Sequence, residues 1–146
     1  MEKEFIEIAI YENLNEAKRE LKGEGLDGLC FYFANNIKHD LELMDMKVNM
    51  WNIRSLTSCD YDHYFLIVSG DDDYLIDPTY LQFLPKEGET PLAFEKFPAD
   101  VLMQSEEGKE LCFDLINKGY FEIKENEFDL YINSFKPKER KMYRWK

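Results

Sequence analysis

Cys30, His63 and Asp77 are the residues of this chain whose types and settings could do chemistry together. Cys30 stands in "GLDGLCFYF", at the start of a helical pattern. His63, one of only two histidines, opens the apolar run "HYFLIVS", and fourteen positions later Asp77 precedes Pro78 in "YLIDPT". A thiol becomes a nucleophile at neutral pH when it loses its proton and the thiolate is stabilised. A helix N-terminus stabilises the thiolate, and a neighbouring histidine helps with both steps. The histidine in turn needs a group to hold its ring and fix its tautomer, which a carboxylate on an adjacent strand can supply. The corresponding chemistry is acyl transfer through a thioester.

Those side chains are useful only if the elements carrying them converge. After the glycines at 23, 25 and 28, with Asp27 a candidate cap, Cys30, Phe33, Ala34, Ile37, Leu41 and Met44 recur at helical spacing. Cys30 then lies in the first turn, at the end of the buried stripe. "HYFLIVS" (63–69) is apolar on both faces, which predicts a central strand. "GDDD" reads as a turn and "YLIDP" as a returning strand that Pro78 terminates.

Strand parity makes a sharp demand. A three-residue loop, Gly70-Asp71-Asp72, pairs residues whose numbers sum to 142. His63 then faces Thr79, Asp77 faces Phe65, and His63 and Asp77 become diagonal neighbours about 7–8 Å apart at the backbone. A two-residue loop would put them on opposite faces.

The remaining elements are less distinct. "FIEIAIY" (5–11) fits a strand or the start of a helix, and 15–23 reads as a helix with Asn15 as cap and Gly23 as stop. Residues 47–56 alternate through Val48, Met50 and Ile53 and read as a strand. Residues 79–100 read as loop. Ser105 caps a helix closed by Gly119, and 120–135 suggests a short strand and a final helix.

Composition bounds the function. With 146 residues, 45% hydrophobic and 15% aromatic, the chain fits one globular domain, 1–146, able to bury a core. No apolar run approaches the roughly 20 residues needed to span a bilayer, and the acidic N-terminus is unlike a signal peptide. The net charge is −12, and the basic tail at 136–146 carries +5, so residues 1–135 carry −17. An acidic body repels phosphate backbones, which argues against nucleic acid as a partner and for a partner or substrate with a basic surface. The tail itself reads as docked on that body, solvated, or held for a partner. Three cysteines without CxxC spacing make neither a disulfide framework nor a zinc site, so reduced thiols in the cytoplasm are expected. The acidic hairpin tip matches no calcium loop, and no metal or cofactor is expected.

The segment from Gly28-Leu29-Cys30 through "DHYFLIV" to "YLIDPT" resembles the core of the transglutaminase-like and papain-like cysteine enzymes. In that group the histidine begins one strand and the aspartate, often before Pro-Thr, lies on the next. The resemblance covers residues 25 to 80. It implies an α+β fold with a nucleophile-bearing helix packed on a small antiparallel sheet. It also implies Cys30 as nucleophile, His63 as general base and acid, and Asp77 as the orienting carboxylate. The activity so implied is a thiol hydrolase or acyltransferase (a deamidase, protease or transglutaminase) acting on a protein or peptide carboxamide. The small size is similar to bacterial effector and toxin domains that deamidate glutamine. One departure stands out: papain-type enzymes carry a glutamine six residues before the cysteine for the oxyanion hole, and here that residue is Glu24. Backbone N–H groups near Cys30, or Asn13, Asn15 or Gln82, would have to serve instead.

Plainer readings exist for each residue. Cys30 could be a core thiol, His63 and Asp77 a structural pair, and Asp77 a turn cap. Cys59 lies in a loop with no helix dipole, Cys112 in the core of a late helix, and His39 on a helix surface. The rival function is then a non-catalytic acidic protein that docks a basic partner, as immunity or adaptor proteins do.

Overall fold

The computed structural model describes residues 2–22, 29–91 and 93–138. Within them the fold is α+β, with a four-stranded antiparallel sheet and six helices. Helix α1 (Glu2–Lys22) and helix α2 (Cys30–Leu43) come first. Strand β1 (Lys47–Asn52), helix α3 (Ile53–Thr57), strand β2 (Tyr64–Ser69) and strand β3 (Asp73–Ile76) follow. A 3-10 turn (Tyr80–Phe83) and helices α4 (Pro98–Leu102) and α5 (Glu106–Asn117) lead to strand β4 (Tyr120–Ile123) and helix α6 (Glu127–Asn133).

The sheet is a meander in the order β1-β2-β3-β4. Successive side chains of a strand point to opposite faces, so each strand feeds two cores. Val48, Leu66, Val68, Tyr74, Ile76 and Tyr120 pack against α1 and α2. Phe65, Leu75 and Phe121 point the other way, against the 3-10 turn and α3 to α6. Strand β2 is buried on both faces, as its unbroken apolar run predicts.

The β2–β3 register pairs Leu66 with Ile76 and Ser69 with Asp73, so every pair sums to 142. Of the two pairings the sequence leaves open, the odd-loop one is observed. Ser105 caps α5 by accepting a hydrogen bond from the Gly108 N–H. Gly119 ends the α5 segment with φ +78°, a left-handed conformation that glycine adopts freely. A Cβ there would also sit 2.9 Å from Ile10 Cγ2.

Three local expectations are corrected. Of the strand and helix start left open for 5–11 the helix is observed, and α1 runs on without a break, so Asn15 lies mid-helix and is not its cap. The reason is the i, i+3, i+4 burial of Ile6, Ala9, Ile10, Leu14 and Ala17, which a seven-residue window could not separate from alternation. The strand expected over 47–56 stops at Asn52, whose side chain accepts from the Arg54 N–H and starts α3. The loop expected over 79–100 holds the 3-10 turn and α4, because Tyr80, Phe83, Ala99 and Leu102 are anchored in the core. Gly23, Glu24 and Asp27 lie outside the described residues.

Candidate active site

Cys30 is the first residue of α2, a helix with no acidic residue in its first turn, so no side-chain charge there offsets the positive end of the dipole. Its Sγ lies at the start of β2, 3.7 Å from the Asp62 carbonyl oxygen and within hydrogen-bond reach of the Tyr64 N–H. Only 6% of the residue is exposed.

His63 sits immediately before β2 and is fully buried. Its backbone is pinned on both sides. The Ile53 N–H donates to the His63 carbonyl oxygen at 2.8 Å, and the His63 N–H donates to Asn52 Oδ1 at 3.2 Å. The ring stacks on Phe135 and meets the edge of Phe83, with centroids 5.7 and 4.7 Å away. Nε2 lies 2.8 Å from Asp77 Oδ2, while the imidazole also shares a hydrogen bond with the Cys30 thiol. With Nε2 committed to Asp77, Nδ1 is the nitrogen left for Cys30. Three residues from a helix and two strand ends thus form one chain of contacts, thiol to imidazole to carboxylate.

Asp77 directly follows β3 and is also fully buried. Its N–H donates to the Gly119 carbonyl oxygen at 2.8 Å, which extends the β3–β4 pairing by one residue. Oδ2 accepts a second hydrogen bond, from the Tyr131 hydroxyl at 2.6 Å, and Oδ1 accepts from Thr79 Oγ1 at 3.3 Å. A buried carboxylate is tolerable when hydrogen bonds and an opposite charge satisfy it, and Asp77 has both.

The site polarises its proton. Burial disfavours a charged His63, but the Asp77 charge and hydrogen bond, with support from Cys30, raise its pKa to about 9. Burial also disfavours the Cys30 thiolate. The His63 hydrogen bond and charge and the Tyr64 N–H outweigh it, and the pKa falls below that of an ordinary thiol. A lowered thiol pKa beside a raised imidazole pKa favours the thiolate–imidazolium form of the pair, the form in which a thiol is reactive.

The other thiols are unlike Cys30. Cys59 is buried, with Sγ 3.6 Å from the Tyr61 carbonyl oxygen. Cys112 is buried in α5, and burial pushes its pKa up. His39 is exposed on α2. Of the oxyanion candidates, Asn13 turns its side-chain N–H to its own helix at Ala9, Asn15 is half-buried on α1, and Gln82 lies beside His63 with Nε2 3.4 Å from Nδ1. Sequence reasoning missed Tyr131 and Asn52. Nothing in "EFDLYINSF" marks Tyr131 as a donor to Asp77, whereas Asn52 ahead of "IRSL" carried a legible capping signal.

Among the described residues no helix is long and apolar enough to cross a membrane. Comparison with known proteins found no matching family model, no matching curated protein and no matching solved structure.

Proposed function

We propose that this protein is a cysteine-nucleophile hydrolase or acyltransferase with a papain-like or transglutaminase-like core, acting on a carboxamide or peptide bond of a protein substrate. The observation that carries the reading is the imidazole held between a helix-terminal thiol and a carboxylate, with Nε2 2.8 Å from Asp77. Cys30 Sγ attacks the carbonyl carbon, forming the C–S bond and an oxyanion. The tetrahedral intermediate collapses as His63 passes its Nδ1 proton to the departing nitrogen, the C–N bond breaks, and ammonia or an amine leaves a thioester. His63, now neutral, takes a proton from water or from an acceptor amine as that nucleophile attacks. Collapse breaks the C–S bond and expels the Cys30 thiolate, which completes the thiolate–imidazolium pair. Water makes the protein a deamidase or protease; an amine makes it a transglutaminase. The net charge of −12 favours a substrate with a basic surface, and the free thiols suit the reducing cytoplasm.

The test is trapping of the acyl-enzyme. With p-nitrophenyl acetate in excess, a burst of about one nitrophenolate per chain is expected, with the acetyl group on the Cys30 peptide by mass spectrometry. Cys30→Ala abolishes the burst. Acetyl groups absent from Cys30, or spread equally over Cys30, Cys59 and Cys112, would sink the reading in favour of an acidic binding protein that keeps the fold without the chemistry.

A further inference from the structure

Gln82, in the 3-10 turn, lies next to the imidazole nitrogen through which the proton must travel, and its carboxamide is held in one orientation. Oε1 accepts from the Tyr61 hydroxyl at 2.7 Å. Nε2 donates to the Thr79 carbonyl oxygen at 3.2 Å, with Thr79 Oγ1 3.4 Å away. Turning the amide over would set its oxygen against the Thr79 carbonyl, so the nitrogen is the end that faces His63, 3.4 Å from Nδ1.

We infer that Gln82 is a positioning residue that directs the Nδ1 proton of His63 to Cys30 alone. The inference rests on the proposed triad and deepens it. Nε2 can only donate, so an Nδ1–H finds no acceptor on the Gln82 side, and Cys30 Sγ is the acceptor left to it. Once the proton has gone to the leaving nitrogen, Nδ1 carries a lone pair, and the Gln82 N–H is then its partner while Sγ is acylated. An acceptor at the same place would draw the Nδ1 proton away from the thiolate. The titratable groups facing the ring are Cys30 from α2, Asp77 from the end of β3 and, through Asp77, Tyr131 from α6; Tyr61 reaches it through Gln82.

The test compares Gln82→Glu with Gln82→Leu in the full chain, reading the iodoacetamide rate at Cys30 against pH, with thermal midpoints to confirm folding. Gln82→Glu places a carboxylate oxygen beside Nδ1 that takes its proton. The expected result is a rate at pH 7 lowered at least about tenfold and a Cys30 apparent pKa moved up toward the ordinary thiol value of about 8.5. Gln82→Leu removes the amide without adding an acceptor and is expected to change the rate less than about threefold. Glu keeps the Tyr61 acceptor but sets an oxygen against the Thr79 carbonyl, so each variant loses part of what fixes the amide. A purely structural role predicts losses of Cys30 reactivity that track the fall in thermal midpoint, and that pattern, or equal effects of the two variants, would overturn the inference. A wild-type Cys30 with an ordinary thiol profile would overturn the triad itself, and this inference with it. A depressed wild-type profile unmoved by Gln82→Glu would overturn only the role of Gln82.

Discussion

The two faces of the sheet are built from different materials. Against α1 and α2 the core is mostly aliphatic, with Ile6, Ile10, Ile37, Leu41, Leu66 and Ile76, and with Tyr74 and Tyr120 as its buried aromatic members. The opposite face is aromatic, with Phe65, Tyr80, Phe83, Phe94, Phe121, Tyr131 and Phe135. Only the aromatic face hosts the buried His63 and Asp77. Aliphatic side chains pack densely but offer no hydrogen bonds, so a buried ion pair there would stand uncompensated. Aromatic rings give flat walls that fix an imidazole by stacking, and a tyrosine adds a hydroxyl where a carboxylate needs one. The α2 side contributes the Cys30 thiol from a helix end, and the aromatic side holds the His63 imidazole.

That division of labour can be broken in steps. Cys30→Ala removes the nucleophile and is expected to lower turnover by at least about a thousandfold while leaving the fold intact, as steady-state assay and circular dichroism would show. Asp77→Asn keeps the shape but permits the wrong tautomer and removes the charge that raises His63. Activity should fall by about a hundredfold to ten-thousandfold, and the Cys30 apparent pKa should rise.

Tyr131→Phe takes away one donor to Asp77 Oδ2 and leaves the ring in place. Chemical denaturation should show a loss of about 1–2 kcal/mol. The carboxylate oxygen then gives more of its charge to His63, so the alkaline limb of the pH–rate profile moves upward. In the proposed mechanism His63 must be protonated to release the leaving nitrogen, so the wild-type limb is expected to fall near pH 9, where its raised pKa lies. Ile37→Val, on the aliphatic face, should cost about 0.5–1.5 kcal/mol and leave Cys30 alkylation unchanged. A change in Cys30 reactivity from that substitution would show the two faces to be coupled, contrary to the comparison.

Much of the site was legible because it rests on local signals. The sequence reduces the relation of His63 and Asp77 to strand parity, and the pairing of Leu66 with Ile76 decides it in favour of one face. Helical spacing from Cys30 to Leu41 placed the thiol at a helix start, where it is. What escaped were contacts made only by tertiary packing. Tyr131 is 54 residues from Asp77, and Phe135 stacks on a ring 72 positions earlier. The strand expected through residue 56 failed at Asn52 because one side chain serves two purposes, starting α3 and holding the His63 N–H. Of the basic tail, Lys136 pairs with Glu95 at 3.1 Å, and 139–146 lie outside the described residues.

Whether His63 and Asp77 ionise Cys30 is read from the pH dependence of iodoacetamide modification at each cysteine, in wild type and His63→Ala. Cys30 is expected to react fastest of the three, with an apparent pKa well below the free-thiol value of about 8.5, and His63→Ala to slow it and return the pKa toward that value. A Cys30 that stays inert across pH with or without His63, while the protein remains folded, would mean that the buried pair holds the sheet together and activates nothing.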